Sequence, residues 1–343
     1  MMELPQKTLL PDRHPTPDFF VADIFDSLPF KDDMASMSYP IFSLSKKKDV
    51  RNLEYEIGDA TISIKPNSDG LPTIFDKDVL LYCGSLLMNE VNQGRTPPKT
   101  MRISARDLLV ATNRLTNGQS YALLKKGLDR LQGVTVKTNI KTNKREITRA
   151  FGLIDSYEIV ESSRVKDRMI RLEITLSDWF YNSILGKEVL TISRDYFRLR
   201  KPLERRLYEI ARKHCGRNAE WRIGLDKLRE RVGSTSTPSK FKFFINQQVK
   251  FDHLPDYTLS LSDKDIVTFK RRAPNPLLEI EDMPIIQPET IEKGEMVVRA
   301  AGTGWDYREI RSQFTKQLMG GFKPDNVDGA FLGFVKKKVA RRP

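Results

Sequence analysis

Apolar residues recur at helical spacing in some stretches of this chain and at alternate spacing in others. The richest stretch runs from Arg194 to Arg272. Between Tyr196 and His214, Leu203, Leu207, Ile210 and Ala211 share one helical face, and Arg205, Arg206, Arg212 and Lys213 lie off it. A shorter helix follows, with Leu225, Leu228 and Val232 inward. In the next turn Thr237 is a natural N-cap and Pro238 suits the first helical position. The helix they open turns Phe241, Phe244, Ile245 and Val249 inward. Tyr257, Leu259 and Leu261 then alternate with Thr258, Ser260 and Ser262, and a turn at 263–265 leads into Ile266–Phe269 as a β-hairpin.

The same order occurs upstream. Val79, Cys83, Leu86, Leu87 and Val91 stripe one helix, and Ser104 with Asp107 forms a capping signal ahead of Leu108 and Leu109. After a turn at 112–118, Ser120 caps a helix with Tyr121, Leu124, Leu128 and Leu131 inward, which Gly133 stops. Strands follow over 134–140, 147–159 and 170–176, with a turn at 141–144. Helix, helix–turn–helix, hairpin is the order of a winged-helix DNA-binding module. The expected fold is therefore α+β, with two tandem winged-helix domains at 39–192 and 193–272. A flexible, proline-broken arm precedes them at 1–38, an acidic Pro-rich linker follows at 273–290, and a small helical segment with a basic tail occupies 291–343.

Charge sharpens this picture. The chain of 343 residues carries a net +13, and the stretches 95–149 and 194–272 each carry +10, leaving −7 elsewhere. Such segregation points to a polyanion, nucleic acid before a membrane surface, because no long amphipathic Lys/Arg helix or lipidation signal is present; the apolar runs also fall far short of the roughly 20 residues that span a bilayer. Two cysteines, Cys83 and Cys215, make no disulfide framework and suit a reducing cytoplasm. His14, His214 and His253 are scattered and no Cys/His cluster for zinc is present, so no metal or other cofactor is expected. The stretch Gly94–Thr100 lacks the glycine before Lys99 that a phosphate loop needs, and Pro97 and Pro98 remove amide donors. Asp76 and Asp78 fit helix capping better than magnesium binding. These absences argue against an enzyme and against a nickase or primase.

Helical geometry selects candidate DNA contacts. In the second block Ser239, Lys240, Lys242, Phe243, Asn246, Gln247 and Lys250 point outward, and Phe243, opposite the core stripe, must touch a thymine methyl or another protein surface. In the first block Gln119, Lys126 and Arg130 point outward. Lys141, Lys144 and Arg145, and Lys270, Arg271 and Arg272, are the wing candidates. In the arm, 19–30 is an apolar–acidic island that packs back on the body or docks a partner, and Gln6–Leu10 resembles short peptides that bind replicative sliding clamps.

The run Tyr196–Gly216, then Trp221–Arg229, with Leu190–Ser193 and Phe151–Asp155 upstream, resembles the plasmid replication initiator protein A (RepA) family, and more distantly TrfA-like and iteron-binding Rep initiators. The likeness covers roughly 39–272. It implies a non-enzymatic binder of direct repeats (iterons) in double-stranded DNA at a plasmid origin, which opens the adjacent duplex and recruits host initiator and replicative helicase. It also implies copy-number control, with self-repression as a homodimer and initiation as a monomer. The N-terminal leucine-zipper-like run that some Rep proteins carry is missing. A transcriptional regulator built on the same two modules is the alternative.

Overall fold

The helix at Pro202–Cys215, within the stretch richest in helical spacing, is largely buried. The computed structural model describes residues 9–11, 13, 30–33, 40–45, 47–57, 60–92, 95–139, 149–162, 169–186, 189–216, 218–272, 286, 288–302, 305, 307–319, 322, 324 and 326–340. Contacts divide the chain into two compact units, 1–273 and 274–343.

The larger unit begins with strands β1 (Phe30–Asp33), β2 (Leu53–Ile57) and β3 (Ala60–Lys65), then helix α1 (Lys77–Asn92). Next come β4 (Thr100–Ser104), α2 (Ala105–Ala111), α3 (Gly118–Gly133), β5 (Thr135–Thr138), β6 (Arg149–Phe151), β7 (Ile154–Ser162) and β8 (Met169–Leu176). Helix α4 (Asp178–Leu185), β9 (Val189–Ile192) and a 3-10 turn (Arg194–Arg198) lead into α5 (Pro202–Cys215). The unit closes with β10 (Glu220–Gly224), α6 (Leu225–Arg231), α7 (Pro238–Phe251), β11 (Tyr257–Leu261) and β12 (Ile266–Arg271).

Among the described residues all sheets are small and antiparallel: β4-β8-β7, β10-β12-β11, β2-β3-β5-β6 and the pair β1-β9. Two expectations change here. Residues 30–33, placed in the arm, form β1 against β9. The first block's hairpin is β7–β8, whereas β5 and β6 extend the β2–β3 hairpin. Strand pairing is a long-range choice, and local alternation does not reveal it.

Helix α5 carries the main correction. Its apolar face is as expected, with Leu207, Ile210 and Ala211 buried, but Arg205, Arg206 and Arg212 are buried too, at 3%, 3% and 7% exposure. Fixed partners make this tolerable, since a charge without one is costly to bury. Asp78 of α1 pairs with Arg205 at 2.6 Å and Arg114 at 2.7 Å. Glu209 pairs with Lys77 and Arg206, each at 3.2 Å, and accepts the Tyr196 hydroxyl at 2.7 Å. The Arg205 guanidinium also lies 4.5 Å from the Phe75 ring centroid, and Arg212 donates to the Thr191 carbonyl at 2.7 Å. The adjacent Lys77 and Asp78 of α1 thus meet a complementary set on α5 and tie the two blocks through one continuous core.

The smaller unit has a separate core. Helices α8 (Pro288–Ala301), α9 (Tyr307–Met319) and α10 (Val327–Val339) bury Val298, Ile310, Phe314, Leu318, Phe331 and Val335. Most of the expected linker, 273–285 and 287, lies outside the described residues, and its last part, 288–290, is helical.

Candidate nucleic-acid interface

The two helix–turn–helix units match element by element. Their strands start at 100 and 220, their first helices at 105 and 225, and their second helices at 118 and 238, so each element begins 120 residues after its counterpart. In each, the short helix ends one residue before a residue with positive φ, Asn113 at 56° and Gly233 at 69°, once Thr112 and Val232 are counted as caps. The second helices are capped alike: Asn117 accepts from the Ser120 amide and Thr237 from the Lys240 amide. Ser120, expected as a cap, is instead the capped residue.

The shared register sets which side chains face out. Two, six, nine and thirteen positions past the N-cap stand Gln119, Leu123, Lys126 and Arg130 on α3, and Ser239, Phe243, Asn246 and Lys250 on α7. This i, i+4, i+7, i+11 set is one helical stripe. Gln119, Lys126, Ser239, Lys240, Phe243, Asn246 and Lys250 are exposed as expected. Lys242 is half-buried and pairs with Asp265 in the β11–β12 turn at 2.6 Å, which ties α7 to its hairpin. Gln247 is half-buried beside Gln248, a buried polar residue that took the inward place expected of its neighbours.

Other candidate side chains are engaged within the fold, sit away from the hairpin tip or lie outside the described residues. Arg130 is turned inward, its side chain 16% exposed, and holds Asp76 through two bonds of 2.8 Å. Burial alone would lower the Arg130 pKa, but the Asp76 carboxylate more than offsets it and raises it. Lys270, Arg271 and Arg272 sit at the base of the β11–β12 hairpin, since its tip is the 262–265 turn. Arg272 is a clamp there: it donates to the Asp252 carbonyl at 2.6 Å and pairs with the Asp252 carboxylate at 2.8 Å. Lys264 is the basic residue at the tip. Lys141, Lys144 and Arg145 lie outside the described residues.

Two clefts border the outward helices. One, about 790 Å³, is lined by Lys48, Arg51, Lys201, the 233–236 turn, Phe243 and Gln247. The other, about 850 Å³, is lined by Arg13, Lys47, Lys48, Gln119, Leu123, Lys126 and Arg200. Lys48 belongs to both, so the loop carrying Lys47 and Lys48, with Arg200 and Lys201 at the start of α5, lies between α3 and α7. Lys47 and Lys48 belong to a run of three consecutive lysines, 46–48, and that clustering is the signal the sequence offers.

The N-terminal segment contributes as a strap. Leu10 donates to the Arg198 carbonyl at 2.9 Å and accepts from the Arg198 guanidinium at 2.6 Å. Asn113 accepts from the Arg13 amide at 2.9 Å and donates to the Pro11 carbonyl at 3.2 Å. Leu10, the end of the clamp-peptide-like stretch, is therefore engaged within its own chain. Residues 6–8 of that stretch and 19–29 of the apolar–acidic island lie outside the described residues.

Among the described residues, no group of His, Cys, Asp and Glu is arranged to hold a metal, and no helix is long and apolar enough to cross a membrane.

Two equivalent helix–turn–helix units on one core, each presenting a polar helix beside shared lysines, define a double helix–turn–helix protein. Comparison with known proteins makes the assignment particular. Residues 31–259 match the family described as replication initiator protein A. A protein of Wigglesworthia glossinidia brevipalpis described as "Putative replication protein" is 40% identical over 270 residues, covering 78% of this chain and 98% of that one. The chain belongs to the replication initiator protein A family. Among solved structures, the selenomethionine derivative of domains 2 and 3 of RctB aligns over 68% of this chain and 95% of its own, at 16% identity and TM-score 0.47. A second structure of RctB domains 2–3 covers 70% and 97%, at 14% identity and TM-score 0.42.

Proposed function

We propose that this replication initiator binds direct repeats in duplex DNA at a plasmid origin through two winged helices, with α3 and α7 in successive major grooves. The observation that carries this reading is the matched register of α3 and α7, with Lys47 and Lys48 between them. A recognition helix needs a polar outward stripe to meet base edges, and cations beside it to meet phosphates. The hairpins β7–β8 and β11–β12 are the wings in this reading. The protein acts by binding, without catalysis of its own, in the cytoplasm. It opens the adjacent duplex and recruits host initiator and replicative helicase, and its dimer represses its own promoter.

The test is a competition titration of the full chain with specific and scrambled duplex at two salt concentrations. Changing Asn246 or Gln247 is expected to cost about 1–3 kcal/mol against the specific duplex and little against the scrambled one. Changing Lys47 or Lys48 is expected to weaken both alike and to flatten the salt slope, since each phosphate contact released contributes to that slope. Equal losses on both duplexes for Asn246 and Gln247 would show that α7 is not a reading helix.

A further inference from the structure

Leu123 and Phe243 occupy the same place in the two units, six positions past Asn117 and Thr237. Both are large apolar side chains left in water, 52% and 57% exposed. Each has polar or basic residues before and after it on its stripe, Gln119 and Lys126 on α3, Ser239 and Asn246 on α7. Leaving such side chains exposed forgoes burial energy at two equivalent positions, so an occupant common to both is the economical explanation. A protein partner would call for a contiguous apolar patch. The surroundings do not supply a matching one in both units: exposed Leu115, beside Leu123 in its cleft, has Thr235 as its counterpart. Half-buried Phe244 next to Phe243 has buried Leu124 as its counterpart.

A single apolar side chain amid donors and cations matches one chemical feature of the major groove, the thymine C5 methyl group. We propose that Leu123 and Phe243 each meet a thymine methyl, so that both halves of the binding site carry a thymine at the corresponding position. This rests on the duplex-binding reading above and adds to it the base that each helix demands. Leu against Phe at the shared position also distinguishes the two half-sites by reach.

The probe is a duplex recovered by selecting a random-sequence pool on the full chain, so no origin need be known beforehand. Thymines in that duplex are replaced one at a time by deoxyuridine, which removes only the methyl group. The wild-type chain should lose about fourfold in affinity at one thymine in each half-site, the equivalent of one buried methyl-sized group. Leu123→Ala should abolish the sensitivity in one half-site and Phe243→Ala in the other, with each variant's Tm unchanged because both side chains are exposed. If no deoxyuridine matters, or both variants keep the full sensitivity, the proposal is wrong while duplex binding stands. Retained sensitivity in Phe243→Ala together with a changed oligomeric state would overturn it in favour of a protein contact. If the pool yields no bound duplex at all, the functional reading itself has failed.

Discussion

Arg205 carries its charge into an interior where it is 3% exposed, and the same is true of Arg206 beside it. Each is held by a carboxylate, Asp78 at 2.6 Å and Glu209 at 3.2 Å. Losing Asp78 leaves the Arg205 guanidinium buried without a carboxylate, whereas Asp78 and Glu209 each have a second cation, Arg114 and Lys77. Asp78→Ala is expected to cost about 3–5 kcal/mol of stability by denaturant titration. Arg200 or Lys201, exposed on the same run of sequence, should tolerate alanine within about 0.5 kcal/mol. Nothing local in the sequence separates these two kinds of cation, because the partners of Arg205 and Lys77 lie more than a hundred residues away. His214 adds a pH effect. It stacks on Trp221 with ring centroids 4.6 Å apart, and burial, then the charges of Arg231, Lys213 and Arg206, lowers its pKa from 6.5 to about 4. Between those values the unfolded chain binds the proton and the folded one does not, so stability falls as pH drops from about 6.5 toward about 4. His214→Gln should flatten that part of the stability–pH curve; an unchanged curve would place the acid sensitivity elsewhere.

Helix α7 shows what an element owes to its ends. Its start rests on Thr237, whose side chain accepts from the Lys240 amide, and on Pro238 in the first turn. Thr237→Ala should cost about 1 kcal/mol, visible as a lower Tm and as weaker duplex binding in proportion. Gly233→Ala should cost more. Its φ is 69°, and a Cβ there would come within 2.6 Å of the Pro40 side chain, so alanine brings both backbone strain and overlap. These local devices explain why both helix–turn–helix units were legible from sequence: caps, turn glycine and apolar stripe all act within a few residues. The matching of the units was harder to see, since Leu123 hides beside Leu124 in a run of apolar letters. Sheet partners were not legible: the hairpin that pairs with the strand ahead of the first helix–turn–helix is β7–β8, whereas the strands on either side of the 141–144 turn, β5 and β6, join the β2–β3 sheet.

In the larger unit, α1 and α5 join the two helix–turn–helix units through a continuous core and through Lys77, Asp78, Arg205, Arg206 and Glu209. The unit at 274–343 has its own core around Phe314 and Phe331 and lies beyond the family match, which ends at 259. Deleting 274–343 should leave duplex affinity within about twofold in the titration, and a large loss would put DNA contacts in that unit. The interior cations also lower the count of charges able to meet phosphate, so the salt slope should be shallower than the +10 of each basic stretch implies. The central claim is that α3 and α7 enter successive major grooves from one chain. Hydroxyl-radical footprinting of the monomer on its selected duplex tests this directly. The account predicts two protected patches on one face, centred about 10–10.5 bp apart, with Lys126→Ala weakening one and Asn246→Ala the other. A single patch, or two patches that weaken together under either substitution, would contradict it.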